Sequence, residues 1–279
     1  MHRFTIIAAL IAGLTLWAAP SVADPVTSSD GAARRPVFDR DAALAESQAA
    51  IGRKIGEHSL IDRRGRAVSL ADYRGKPLVV TFIYTACSVT CPLIIETLAD
   101  AVEVARDALG DDSFAVATVG FDTANDTPSR MRLFAAERGV NLSGWRFLGG
   151  DHDTVAALAA ELGFRYRVAA QGFDHIAQTT VIDAQGVVYR QIYGSDFTPQ
   201  ALTEPLKELV FGNRAPITSV AGLFDRVRLV CTLYDPSSGR YRFDYSIFIG
   251  LVIGLASLTM IGVILVRGWW RTRPPRAAA

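Results

Sequence analysis

The sequence lacks the features that mark several functional classes. Its formal net charge is only +1 over 279 residues, and no basic run falls in its predicted folded part, so it has no electrostatic footprint for nucleic acid. It contains no C-x-x-C-H motif, so the sequence does not support covalently attached c-type haem. It has no internal repeat, and its length suits one domain of ordinary size with residues left for targeting and anchoring segments.

Residues 1–23 are predicted to be a secretory signal peptide. A single Arg3 precedes the apolar stretch Phe4–Ala19, and the small residues Ser21 and Ala23 fit a cleavage site. The alternative is an uncleaved anchor, because one arginine makes a short basic region. In both cases we expect the following domain to leave the cytoplasm, which means the periplasm in a Gram-negative cell.

A second apolar segment, residues 246–266, is predicted to be a transmembrane helix. It contains no charged residue, and its length is close to the ~20 residues that a helix needs to cross the hydrocarbon core. Acids and bases balance in the stretch before it, whereas the stretch after it carries only bases: Arg267, Arg271, Arg273 and Arg276. The positive-inside rule therefore puts the tail, residues 267–279, in the cytoplasm. Trp269 and Trp270 sit where interfacial aromatic residues belong.

Between these ends, composition and periodicity predict one folded domain. Residues 24–45 are predicted to be a flexible leader, and residues 46–211 the domain. Residues 212–245 are predicted to be a tether, with a turn at residues 235–239. The domain itself shows βαβ units followed by a β-hairpin and a closing helix, which predicts an α/β fold of the thioredoxin-like sandwich type with an added C-terminal transmembrane helix.

The strongest chemical feature is Cys87-x-x-x-Cys91-Pro92, which follows the apolar run Leu78–Tyr84 and precedes a segment of helical periodicity. Such a run predicts a strand buried on both faces. A helix N-terminus offers unpaired N–H groups and a positive dipole end, which stabilise a thiolate. Two thiolates four residues apart suit a soft metal ion or a redox disulfide. A static disulfide is the alternative, although such bonds more often link distant segments.

A metal needs more than two thiolates, and four histidines are available. His2 falls in the signal peptide, His58 near the start of the fold and His152 between two aspartates at a predicted helix start. His175 follows Asp174 in a predicted irregular loop that contains Gly172, directly before a hairpin strand. The fold can therefore bring His175 back over the cysteine loop, although spacing alone does not distinguish it from an ordinary loop histidine.

Other residues carry weaker hypotheses. Asp122 and Asp126 suit strand-end, turn or cap positions, with a role in shaping the site as the alternative, and Asp174 could orient the His175 imidazole. Cys231 is the odd cysteine, in the predicted tether. It could be a free thiol, form an intermolecular disulfide or assist the site.

Several motifs together resemble the Sco/SenC family over roughly residues 50–210. They are Lys76-Pro77, Phe82-Ile83-Tyr84-Thr85, Cys87-x-x-x-Cys91-Pro92, Asp122 with Asp126-Thr127-Pro128, and Asp174-His175 followed by Ile182-Asp183-x-x-Gly186. The resemblance implies a thioredoxin fold, with Cys87, Cys91 and His175 as copper ligands. It also implies a role in assembling the copper A centre of cytochrome c oxidase, with the copper-bearing oxidase subunit as partner.

The chemistry of the residues agrees with this expectation. Two thiolates and one imidazole form a soft donor set that suits Cu(I), whereas zinc ordinarily takes a fourth ligand. We therefore expect a copper metallochaperone. One alternative is a thiol–disulfide oxidoreductase that reduces the oxidase cysteines, with Cys87 and Cys91 as the catalytic redox pair; others are a copper or redox sensor and a peroxiredoxin-like peroxidase.

Overall fold

The structure is a computed structural model that describes residues 37–212, 232–235, 240–243 and 245–271. The predicted signal peptide, most of the predicted leader, Cys231 and most of the basic tail lie outside the described residues. The helices are α1 (Arg40–Ala49), a 3-10 helix (Leu70–Tyr73), α2 (Thr90–Leu109), α3 (Pro128–Glu137), α4 (His152–Glu161), α5 (Pro199–Gly212) and α6 (Ser246–Arg271).

Seven strands form a mixed sheet in the order β2-β1-β5-β4-β3-β8-β9. The parallel strands β3, β4 and β5 lie at its centre, and β8 pairs antiparallel with β3. The strands of this sheet are β1 (Ser59–Asp62), β2 (Ala67–Ser69), β3 (Leu78–Ile83), β4 (Ala115–Gly120), β5 (Trp145–Gly149), β8 (Gln178–Ile182) and β9 (Val188–Tyr193). Separate hairpins are formed by β6 (Tyr166–Ala169) with β7 (Gly172–His175) and by β10 (Thr232–Asp235) with β11 (Arg240–Phe243).

The sheet is covered on both faces, as the apolar run of β3 predicts. All six residues of β3 are buried. Val79 and Ile83 face a core formed with α2, α3 and α5. The alternate residues Leu78, Val80 and Phe82 face a second core formed with the 3-10 helix and α4. This two-sided burial confirms the predicted α/β sandwich.

Most predicted elements are confirmed, including their starting signals. Thr127 caps α3 by accepting a hydrogen bond from the Arg130 backbone N–H, with Pro128 in the first turn. Asp151 caps α4 in the same way through the Thr154 backbone N–H. The predicted hairpin near the end of the domain is β8–β9. The cysteine helix starts at Thr90, so that Cys91 lies within its first turn.

Three segments differ from the sequence-based expectation. A helix, α1, begins at Arg40, inside the segment predicted to be a flexible leader, and it buries Ala43 and Ser47. The segment before His175, predicted to be an irregular loop, is the regular hairpin β6–β7. The segment predicted to be a tether contains the strands β10 and β11, which flank the predicted turn.

The long helix α6 matches the predicted membrane span. Residues Phe248–Trp269 form a stretch of 22 residues with a mean hydropathy of 2.6, long and apolar enough to cross a membrane. A Ser257 hydroxyl within it donates to the Ile253 backbone carbonyl, so this polar group is satisfied inside the helix.

Candidate functional site

The two cysteines lie where β3 gives way to α2. Cys87 is half-buried in the connecting turn, and Cys91 is buried in the first helical turn. No side chain caps the start of α2 at Val89, so the N–H groups of the first turn are available to the thiols. The Cys91 backbone N–H donates to Cys87 Sγ at 3.2 Å. Both thiols are free, and the loop presents a reduced pair rather than a static disulfide.

The two thiols have opposite electrostatic environments. A hydrogen bond from the Cys91 thiol, supported by the backbone N–H groups of Cys91 and Val89 and by Tyr84, lowers the pKa of Cys87 to about 5. Donating that bond, together with burial, raises the pKa of Cys91 well above its ordinary value. At neutral pH the pair is therefore one thiolate, Cys87, held by one neutral thiol, Cys91.

His175 lies at the end of β7, three residues before β8. Its Nδ1–H donates to the Ile176 backbone carbonyl at 2.9 Å, because a carbonyl oxygen can only accept. Nε2 therefore keeps its lone pair for a ligand or a proton. The ring packs against Phe121 and Phe164, with centroid distances of 5.4 and 5.5 Å.

Asp174 does not orient this imidazole. Its carboxylate accepts from the Arg167 guanidinium at 2.7 Å, across the hairpin, where the two residues are register partners. The backbone carbonyl of Ile176 takes the role that sequence reasoning offered to Asp174. Asp174 instead stabilises the hairpin that carries His175.

Tyr84 contacts both the thiol loop and the histidine hairpin. Its ring lies edge to face with His175 at 6.3 Å and with Phe173 at 5.2 Å between centroids. Burial, followed by a hydrogen bond with the Cys87 side chain, raises the pKa of Tyr84 to about 12, so its hydroxyl stays protonated.

The structure brings two of the three predicted ligands together. Cys87 and Cys91 are in direct contact, and His175 is linked to them through Tyr84. Over residues 37–212 and the short described stretches beyond them, no group of three or more His, Cys, Asp or Glu side chains is placed to hold one metal ion. The three-ligand site stays a prediction, and it requires the imidazole to approach the thiols.

Asp126 anchors the cysteine loop from a neighbouring strand end. Its buried carboxylate accepts from the Thr85 backbone N–H at 2.8 Å, from the Thr85 hydroxyl at 2.7 Å and from the Asp122 backbone N–H at 2.9 Å. Burial outweighs these bonds and raises the pKa of Asp126. The carboxylate thus joins the end of β3, two residues before Cys87, to the end of β4.

The remaining described histidines lie in other surroundings. His58 Nε2 lies 2.7 Å from a Glu161 carboxylate oxygen, and this pair links the start of β1 to the end of α4. His152 is exposed in the first turn of α4. His2 and Cys231 lie outside the described residues.

Sequence reasoning misses one supporting residue of the site and gives the other only as an alternative. Tyr84 enters only as part of a motif, although a polar-tipped aromatic at the end of an otherwise apolar strand, three residues before Cys87, is a usable signal. Asp126 is predicted to be a turn or cap residue, with a role in shaping the site as the alternative. Its signal was an acid after β4, because the carboxyl ends of adjacent parallel strands meet at one edge of the sheet.

Comparisons with known proteins agree on one family. The family model for SCO1/SenC matches residues 46–211. A SCO1 protein homolog of Bacillus subtilis is 26% identical over 141 residues, which cover 48% of this chain and 71% of that protein. Protein sco1 of Schizosaccharomyces pombe is 32% identical over 100 residues, which cover 36% of each chain. A SCO1/SenC family lipoprotein from Bacillus anthracis shares the fold, with a TM-score of 0.52 at 19% identity, covering 57% of this chain and 95% of that one.

Proposed function

Because the chain belongs to the SCO1/SenC family, we propose that it binds copper through Cys87, Cys91 and His175. We further propose that it serves assembly of the copper A centre of cytochrome c oxidase, with the copper-bearing oxidase subunit as its partner. The observation that carries this proposal is the reduced pair at the start of α2, where the Cys87 thiolate lies against the Cys91 thiol. Copper is here the cargo of the protein.

The donor set suits monovalent copper. Cys87 is ionised at neutral pH and needs no deprotonation to bind, and Cys91 gives up its proton when a cation replaces that proton as the partner of Cys87. Soft thiolates favour Cu(I) over harder ions. The Nδ1 hydrogen bond of His175 fixes the tautomer that leaves Nε2 as the ligand atom. By donor type, the three side chains therefore suit a two-sulfur, one-nitrogen site once the imidazole approaches the thiols.

The test is copper binding by the reduced full-length chain in detergent micelles under anaerobic conditions. We expect one Cu(I) per chain, with sulfur and nitrogen donors in its X-ray absorption spectrum. The variant His175→Ala should lower affinity by more than the roughly 10–100-fold that loss of a supporting group costs. The matched control is His152→Ala, an exposed histidine on α4 that should leave affinity unchanged. Equal copper retention by both variants would refute the three-ligand site.

Delivery to the oxidase is tested in cells that lack this chain. Expression of the intact chain should restore oxidase activity, and variants at Cys87, Cys91 or His175 should not. Added copper should bypass the defect if the role is delivery of the metal. Persistence of the defect under added copper would instead indicate work on the thiols of the partner.

A second candidate function is thiol–disulfide exchange, and the asymmetry of the pair favours it. The half-buried Cys87 thiolate can attack a partner disulfide, which forms a mixed disulfide and releases one partner thiolate. The Cys91 thiol then loses its proton and attacks Cys87 Sγ, which releases the second partner thiolate and leaves a Cys87–Cys91 disulfide. Two electrons pass to the partner, whose disulfide becomes two thiols.

The two functions differ in their need for the imidazole, because the exchange steps use only sulfur. A His175→Ala chain that reduces a model disulfide at the wild-type rate and also restores oxidase activity would favour the redox role. A chain that reduces the disulfide but leaves the oxidase inactive would favour copper binding.

We also propose that α6 anchors the chain in a membrane with the copper-binding domain outside the cytoplasm. The apolar stretch Phe248–Trp269 and the basic residues after it support this orientation. A reporter that is active only outside the cytoplasm should be active when fused before α6 and inactive when fused after Ala279. The reverse pattern would overturn the proposed orientation.

A further inference from the structure

We propose that the hairpin β10–β11 docks on helix α2 through opposite charges and so holds the thioredoxin-like domain close to the membrane. The inference starts from a contact in the fold, because β11 and α2 approach within 8 Å between Cα atoms. It goes beyond copper binding, and it rests on the proposed function only for the membrane role of α6. The segment predicted to be a tether then contains a docking element.

The hairpin needs a supporting surface. Its two strands pair only with each other, in a sheet separate from the seven-stranded one. A two-stranded hairpin on its own is at best marginally stable in water, and packing against a helix is one way to stabilise it. Helix α2 is the helix that lies beside β11.

Helix α2 carries negative charge along one face. Its acids recur at helical spacing, four, three and four residues apart, and all are exposed: Glu96, Asp100, Glu103 and Asp107. Asp111 and Asp112 follow just after the helix ends. The single base of α2, Arg106, is buried and donates to the Ser143 backbone carbonyl. It is therefore not part of the acidic face.

This arrangement of charge favours a positive neighbour from elsewhere in the chain. Like charges three or four residues apart on a helix repel one another. Acids towards the C-terminal end of a helix also oppose its dipole, whose negative end lies there. Glu96, Asp100 and Glu103 form no salt bridge with any residue of the range 37–212. A basic segment placed beside α2 would relieve both effects.

The strand beside α2 is such a segment. β11 reads Arg240-Tyr241-Arg242-Phe243, so its two arginines share one face of the strand. Arg240 lies opposite Asp235 in the hairpin register, whereas Arg242 lies opposite Leu233. Arg242 thus has no acid directly across the hairpin. We assign the acidic face of α2 as the place where its charge is matched.

The contact also limits how far the cysteine pair can lie from the membrane. β11 ends at Phe243 and α6 begins at Ser246, so about 10 Å of chain at most joins them. Cys91 is in the first turn of α2, a helix of 20 residues that is about 30 Å long. The docked pair therefore lies within about 60 Å of the start of α6. Residues 213–245, if fully extended, would allow about 110 Å.

The experiment is hydrogen exchange of the full-length, reduced chain in phosphatidylcholine nanodiscs, with no metal added. One variant reverses charge on the helix, Asp100→Arg/Glu103→Arg. A second reverses charge on the strand, Arg242→Glu, which leaves the Asp235–Arg240 pairing of the hairpin intact. A swap chain combines all three substitutions and restores opposite charges with the signs exchanged.

The matched control reverses two exposed acids outside α2, Glu57→Arg/Glu137→Arg. The amides of β3 and β4 report in every chain whether the central sheet is intact. Because the lipid is zwitterionic, attraction of the arginines to anionic headgroups does not contribute.

Exchange of the β10–β11 amides should accelerate roughly fivefold in the helix variant and in the strand variant, the scale of a few exposed ion pairs. The swap chain should regain slow exchange, and the control should keep it. Salt at about 1 M should accelerate exchange in the unmodified chain, since it screens exposed charges. Unchanged exchange in the helix variant, or a swap chain as fast as the single variants, would overturn the inference.

A second readout is the thickness of the protein layer on a supported phosphatidylcholine bilayer, measured by neutron reflectometry. The helix variant should give a thicker layer than the unmodified chain, and the swap chain should return to the original thickness. Equal thickness in all chains would overturn the role of the contact in holding the domain near the membrane. Both readouts are made without copper, so their failure is distinct from failure of copper binding. Failure of α6 to insert would appear as absence of the chain from the nanodiscs and would overturn the membrane anchor itself.

Discussion

The Cys91 thiol should control the ionisation of Cys87, and the variant Cys91→Ala tests this directly. The pKa of Cys87 is about 5, so at pH 7 about 99% of this group is thiolate. With an ordinary thiol pKa of about 8.5, that fraction would be about 3%. Cys91→Ala removes the hydrogen bond that is the largest single cause of the lowered Cys87 pKa, but it keeps the backbone donors. The thiolate fraction of Cys87 in this variant should therefore fall between about 99% and about 3% at pH 7.

The assay must read the thiolate itself, because reaction rates would hide the effect. A lower pKa also makes the thiolate less nucleophilic, with a Brønsted slope of about 0.4–0.5 in disulfide exchange. Over about 3.5 pH units this lowers reactivity roughly 30-fold, which nearly cancels the gain in thiolate. The thiolate's ultraviolet absorbance, followed against pH, has no such compensation.

The titration is made in a Cys231→Ala background so that only the site thiols contribute. The parent should titrate with a midpoint near pH 5, and Cys91→Ala with a clearly higher one. Cys91→Ser keeps a hydroxyl donor and should give a midpoint below that of the alanine variant. An identical midpoint in all three chains would refute the assignment of Cys91 as the donor.

The same shifts give a pH dependence of stability with a defined sign. The pKa of Cys87 is lowered by folding, so its thiolate stabilises the fold above the pKa of an unfolded thiol and loses this contribution as the pH falls through about 5. The pKa of Cys91 is raised by folding, so its contribution declines above the unfolded value. The contribution of the two cysteines to the free energy of unfolding should therefore be largest at a pH of about 8.5. A flat difference in unfolding free energy between the reduced chain and a Cys87/Cys91 double alanine variant would contradict this.

Three further substitutions test the scaffold of the site, each by urea unfolding of the full-length chain. Asp126→Ala leaves three hydrogen-bond donors without their acceptor and should lower the free energy of unfolding by about 2–4 kcal/mol. An unchanged free energy of unfolding would exclude Asp126 as the residue that anchors the cysteine loop. Gly172→Ala places a side chain at φ 90°, against Tyr84, and should cost about 1–2 kcal/mol from the backbone alone, with faster hydrogen exchange in β6–β7. Asp151→Ala removes the cap of α4 and should cost about 1 kcal/mol, whereas Asp153→Ala in the same turn should cost less.

The parts of the fold that sequence reasoning predicted are those with strong local signals. The run of β3 is buried on both sides, and α2 presents an apolar face to the core, so both leave a clear pattern in the sequence. Helix α1 leaves none, because it buries only Ala43 and Ser47 and its other positions are polar or small, apart from the exposed Leu44. The strands β6 and β7 are half-buried except at the exposed Val168, so their residues show no alternation between a buried apolar and an exposed polar face.

The residues of the site also divide into those with a strong local signal in the sequence and those without one. The cysteine pair was predictable because strand, loop and helix follow one another directly along the chain. The contacts of Tyr84 with Phe173 and of Asp126 with Thr85 join segments that lie far apart in sequence. No local sequence pattern predicts such long-range contacts. The choice of His175 among four histidines depended on the family resemblance, and its meeting with the thiols remains a prediction.

The antiparallel pairing of β3 with β8 attaches the two parts of the site to adjacent strands. The thiol turn leaves the end of β3, and the segment after His175 enters β8 at the same edge of the sheet. Neighbouring strands are about 4.8 Å apart, and only two residues, Ile176 and Ala177, separate His175 from β8. The thiol turn and the histidine segment are therefore held near one edge of the sheet by short connections to adjacent strands.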